Sequence, residues 1–160
     1  MIIAYQPGFY LLARPDLSLF WFPIGSRREL AIYIEFTPES DSSSSISIEH
    51  FRPFKDVGSP SLSDQDVDAL IFGVLIAVEA YTGLYPNKYV AFDPKDPICS
   101  MIFRVMLRTY RDILQKAFSI TLLGEADAIY GASNGETICP AFSLKRTSGA
   151  PTVQIDQSKE

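Results

Sequence analysis

One histidine, two cysteines, one tryptophan and three methionines are all that 160 residues hold of these types. So little His and Cys leaves no closely spaced ligand pair, the usual start of a structural zinc site. A centre built from Cys99, Cys139 and His50 is therefore not expected, nor is any other cofactor. Two thiols without a near neighbour read as free cysteines of a reducing compartment. No glycine-rich phosphate cradle, serine-hydrolase elbow or zinc-protease motif is present. Long hydrophobic runs are missing as well: the longest, Ala69 to Val78, falls well short of the roughly 20 residues that cross a bilayer, and reads as a buried helix. The opening MIIAYQPGFY lacks the basic and extended apolar regions of a secretory signal, so the cytoplasm is the expected location and no membrane partner is expected. Basic residues are in deficit, 14 against 19 acids for a formal charge of -5. That balance removes any general attraction to nucleic acid or anionic membrane, and an anion site would have to be local.

What is present is 47% hydrophobic residues and 21% charged, which suits one globular domain over 1–149 followed by a polar tail over 150–160. From Phe9 to Phe54 aromatic and β-branched residues dominate, punctuated by Pro15-Asp16, Gly25-Ser26 and a serine run. The pattern predicts up to four antiparallel strands, near Phe9 to Arg14, Ser18 to Phe22, Leu30 to Phe36 and Ile46 to Phe51. Ile32, Ile34 and Phe36 alternate with Tyr33 and Glu35, so one face of the sheet should be buried. Asp41 and Ser42 to Ser45 read as a flexible hairpin tip.

Ser63 or Asp64 is a suitable N-cap for a helix from about Gln65 to Thr82, with Asp64, Asp66 and Asp68 opposing the positive end of its dipole. Those three acids mimic a calcium loop only in part, because the glycine and terminal glutamate are absent at the required offsets. The helix is apolar nearly all round and should be central. Gly73 costs it about 1 kcal/mol relative to alanine, a sign that a neighbour's backbone comes close. Lys88 to Phe92 follows as a short strand. Pro97 then opens an amphipathic second helix reaching about Lys116. Two strands, Phe118 to Leu123 and Ala141 to Arg146, enclose a loop with Gly131, Asn134 and Gly135. The expected architecture is an α+β two-layer sandwich.

Arg104, Arg108 and Arg111 fall on one stripe of the second helix, spaced to grip successive phosphates or an acidic partner. They lie in a stretch, 97 to 123, with four bases and one acid, although such runs also serve simply as solvated faces. Lys116 would assist them. Cys99, in the first turn of that helix, sits where the dipole lowers a thiol pKa, but sequence supplies no base beside it, and an inert buried thiol fits as well. Asp93 and Asp96 flank a turn where catalytic carboxylates occur in some folds, yet aspartate is also a standard turn residue. Phe20, Trp21 and Phe22 could stack bases, or supply core rings plus one exposed ring.

The order and spacing of FWFPIGSRRELAIYIEF, DALIFGVLIAVEAYTGLYPNKYV, FRVML, FSITLLG and PAFSLKR resemble an uncharacterised bacterial domain-of-unknown-function family, frequent in Bacteroidetes, whose members are about this long. The likeness spans Phe9 to Arg146 and implies no activity. In that family the second helix opens on a threonine- and arginine-rich segment. Here the segment is Pro97, Ile98, Cys99, Ser100 and Met101, and Arg104 alone matches the cluster. The leading expectation is a non-catalytic protein-interaction or accessory module with a protein partner, in the manner of antitoxin-like inhibitors and immunity proteins. Binding of nucleic acid or a nucleotide through Arg104, Arg108 and Arg111 is the alternative. An enzyme using Cys99 or the Asp93 and Asp96 turn comes third.

Overall fold

The computed structural model describes residues 2–6, 9–25, 30–51, 63–92, 97–123 and 141–147. The turn holding Asp93 and Asp96, Cys139, the loop with Gly131, Asn134 and Gly135, and the tail lie outside them. Eight strands are described: β1 (Ile2–Gln6), β2 (Phe9–Ala13), β3 (Leu19–Ile24), β4 (Leu30–Ser40), β5 (Ser43–Phe51), β6 (Tyr89–Phe92), β7 (Phe118–Leu123) and β8 (Ala141–Arg146). They form one mixed sheet in the order β1-β2-β3-β4-β5-β6-β8-β7. The first five make an antiparallel meander. Helix α1 (Asp64–Leu84) carries the chain from β5 to β6, which pair in parallel. A parallel pair needs such a crossover, since no tight turn can reverse the chain twice. Helices α2 (Pro97–Thr109) and α3 (Arg111–Ala117) then lead to β7. Strand β8 inserts between β6 and β7, antiparallel to both.

Alternation places Phe20, Phe22, Ile32, Ile34, Phe36, Ile46, Ile48, Val90 and Leu144 on one face, where they form a single core with Ile71, Val74, Ile102, Phe103 and Met106 of the helices. The α+β class and the central helix thus follow from the two hydrophobic periods. Ten residues of α1 are buried; by length and hydropathy alone this helix would also suit a bilayer.

Ser63 caps α1 in a reciprocal box: its hydroxyl accepts from the Asp66 amide at 3.2 Å, and its own amide donates to Asp66 Oδ2 at 3.2 Å. Asp66 Oδ1 also accepts from the Gly25 amide at 3.0 Å, which ties the helix start to the end of β3. Gly25 has φ 101° there, a conformation glycine adopts without a Cβ clash. Tight approach at Gly73 comes from a ring, not from backbone: Phe22 fills the space a Cβ would take. At the β2–β3 turn Leu17 has φ 57° and is nonetheless buried. Hydrogen bonds from Leu17 to Arg14 and from Arg14 to Leu19 hold it, so burial of the side chain offsets the left-handed strain of about 1–2 kcal/mol.

One strand was not foreseen, and two further expectations change. Ile2–Gln6 is a strand paired with β2, although its short, mixed pattern gave no periodic signal. The hairpin tip is shorter than expected: Asp41 and Ser42 form the turn between β4 and β5, whereas Ser43, Ser44 and Ser45 belong to β5, paired on one side with β4 and on the other with β6. Ser44 is fully buried, its hydroxyl 2.7 Å from Tyr81 Oη, so a polar residue satisfies itself inside the core. Finally, the second helix breaks at Tyr110. The Tyr110 amide still bonds to Met106 O at 2.8 Å, but φ −119° and ψ 18° end the regular turn. No proline or glycine stands at the break; Tyr110 instead packs edge-on against Phe72 of α1, with ring centroids 6.1 Å apart.

Candidate interaction face of the sheet

The alternation that fills the core also writes the opposite face of the sheet. Among the described residues no helix covers that face. Cross-strand register lines up Ile2, Leu12, Trp21, Tyr33 and Glu49 in one row across β1 to β5. The neighbouring row is Leu19, Glu35 and Ser47. Directly opposed side chains in such rows stand about 5 Å apart, and diagonal ones about 7–8 Å. Ile2 and Leu12 remain 37% and 39% exposed, and Tyr10 45%, so the β1–β2 end of the face is an apolar strip open to solvent. Trp21 and Tyr33 are half-buried within it, and Glu35 and Glu49 are exposed at its edge.

Where the two rows meet there is a shallow cup of about 130 Å³, lined by Leu19, Tyr33, Glu35, Ser47 and Glu49. Two carboxylates on a diagonal flank a tyrosine ring. Such an arrangement suits the end of a lysine or arginine side chain, whose charge both acids meet while the ring covers its stem. Further along β4, Glu39 accepts from Ser45 Oγ at 2.8 Å and extends the acidic border. The residues of the cup were legible as an alternating polar set, Tyr33 and Glu35 against Ile32 and Ile34. The register that joins them to Leu19, Ser47 and Glu49 was not.

Arg104 and Arg108 are exposed one turn apart on α2, and Arg111 is exposed at the start of α3, beyond the break. The continuous stripe expected from an unbroken helix is therefore divided into a pair and a third residue on a separate helix. Cys99 is 1% exposed within the core cluster, which denies a nucleophile the access it requires. His50 is exposed on β5, opposite Ile32 of β4. Among the described residues no three His, Cys, Asp or Glu side chains converge. Phe20 and Phe22 lie in the core, whereas Trp21 is the ring of that trio on the open face.

Comparison with family models, with curated proteins and with solved structures finds no match to this chain.

Proposed function

We propose that the chain is a non-catalytic protein-interaction module of the accessory, antitoxin-like or immunity-like kind, acting in the cytoplasm as a member of the uncharacterised bacterial family it resembles. Its partner presents a basic segment to the open face of the sheet. The observation that carries this reading is the cup between Glu35 and Glu49, beside the strip of exposed Leu12 and half-buried Trp21 and Tyr33. An apolar and aromatic strip supplies the desolvated centre an interface needs, while the carboxylates select the sign of the partner and speed its encounter.

The test is a pull-down from nuclease-treated native lysate with wild type, Glu35→Lys/Glu49→Lys and Arg104→Glu/Arg108→Glu/Arg111→Glu, each first checked for native circular dichroism. A protein retained by wild type and by the arginine variant, but lost with the glutamate variant, is the expected result. Retention by the glutamate variant at wild-type level refutes the reading. The second reading, nucleic-acid binding through Arg104, Arg108 and Arg111, rests on the exposure of all three on the helix layer. It requires recovery that nuclease abolishes and binding that weakens steeply with salt.

A further inference from the structure

On the other side of the molecule, between α1 and the α2–α3 bend, lies a cleft of about 180 Å³. Phe72 and Leu75 of α1, Tyr110 at the bend, Leu114 of α3 and Phe118 of β7 supply its walls. Glu79 is the one charged residue among the described lining. It is half-buried, and the apolar surroundings raise its pKa above the ordinary carboxylate value, an effect that the nearby Arg146 guanidinium only partly opposes. Arg146 Nη2 donates to the main-chain carbonyl of Glu79 at 2.6 Å, and its guanidinium lies 6.0 Å from the centre of the Phe118 ring. The arginine thus pins β8 to α1 at this point.

A carboxylate in an apolar wall is stabilised by a counter-ion that brings its own hydrogen-bond donors. Aromatic rings can offer such an ion their negative faces; one face of Phe118 already meets Arg146. Size sets the other limit, since a cavity of about 150 Å³ accepts a benzene-sized molecule. We propose that this cleft binds a small aromatic or alkyl amine, its ammonium paired with Glu79 and its hydrocarbon seated among Phe72, Tyr110 and Phe118. The site is independent of the sheet face, so variants of Glu35 and Glu49 leave it intact.

The probes are benzylamine, benzyl alcohol and benzoate, titrated into the ¹⁵N-labelled full chain near neutral pH and followed by amide chemical shifts. Benzylamine is expected to give saturable shifts centred on Leu75, Glu79 and Ala117, with a Kd roughly tenfold below that of benzyl alcohol, the factor of one charge-assisted hydrogen bond. Benzoate should not bind. Glu79→Gln should abolish the preference for the amine, and Ala117→Phe should block both ligands. Equal affinity of wild type for benzylamine and benzyl alcohol, shifts centred elsewhere, or no saturable shift with either overturns the proposal. These comparisons are made on wild type and stand even if a variant fails to fold.

Discussion

Replacing Gly73 by alanine sets two well-defined effects against each other. At an open helical site the change stabilises by about 1 kcal/mol, through helix propensity and a less flexible unfolded chain. Here the new Cβ would stand 2.3 Å from Phe22 Cζ, 2.5 Å from Cε1 and 3.1 Å from Cε2. Carbon atoms settle at about 3.5–4.0 Å, so the ring would have to retreat by more than about 1 Å. Phe22 is buried, and its backbone is fixed in the β3–β4 ladder opposite Ile32. Overpacking of this kind costs about 1–3 kcal/mol, and the severity of the overlap places this site toward the upper end. The net expectation is a loss of about 1–2 kcal/mol. In urea denaturation, followed by Trp21 fluorescence and far-UV circular dichroism, the midpoint should fall with m unchanged. The melting temperature should drop by roughly 3–6 °C. Phe22→Leu withdraws part of the ring, so the double variant Gly73→Ala/Phe22→Leu should be more stable than the sum of the single effects by about 1 kcal/mol or more. A stabilised Gly73→Ala, or strictly additive effects, would refute the argument.

Tyr81→Phe keeps the stacking on Phe36, whose ring lies 4.2 Å away and nearly parallel, but removes the partner of the buried Ser44 hydroxyl. The loss should be about 1–3 kcal/mol, and Ser44→Ala/Tyr81→Phe should cost less than the two single changes together, because no orphaned hydroxyl remains; urea midpoints decide, and additivity would contradict the pairing. Glu79 supplies a pH test. Its folded pKa is raised by desolvation, so the stability linked to its protonated form is present below the unfolded value and is lost as pH rises through the folded one. The stability of Glu79→Gln relative to wild type should therefore increase as pH rises above about pH 4; a flat difference would show that the cleft does not desolvate the carboxyl.

An acidic, partly aromatic sheet face and an arginine-bearing helix layer lie on opposite sides of one core. Lysate binding by the glutamate and arginine variants tests them separately. The near-total burial of Cys99 also makes a simple control: in the native chain it should resist alkylation whichever face binds.

Local sequence determined much of this protein. Alternation at Ile32, Ile34 and Phe36, the all-round apolarity of α1, its Ser63 cap and the limits of β7 and β8 are properties of neighbouring residues, and short-range periods encode them directly. The strand Ile2–Gln6 and the serine half of β5 were hidden because pairing across strands stabilises them. Ser44 lies inside with its hydroxyl met by Tyr81, 37 residues away. The break at Tyr110 has no proline or glycine, and the Tyr110 ring packs there on Phe72, distant in sequence. Likewise the cup and the cleft each unite residues from separated elements: Leu19, Tyr33 and Ser47 in one, Glu79, Tyr110 and Phe118 in the other. Side-chain period is a local quantity that a sequence displays, whereas strand register, the insertion of β8 and the bend of the helix layer depend on long-range contacts, and those contacts built both candidate sites.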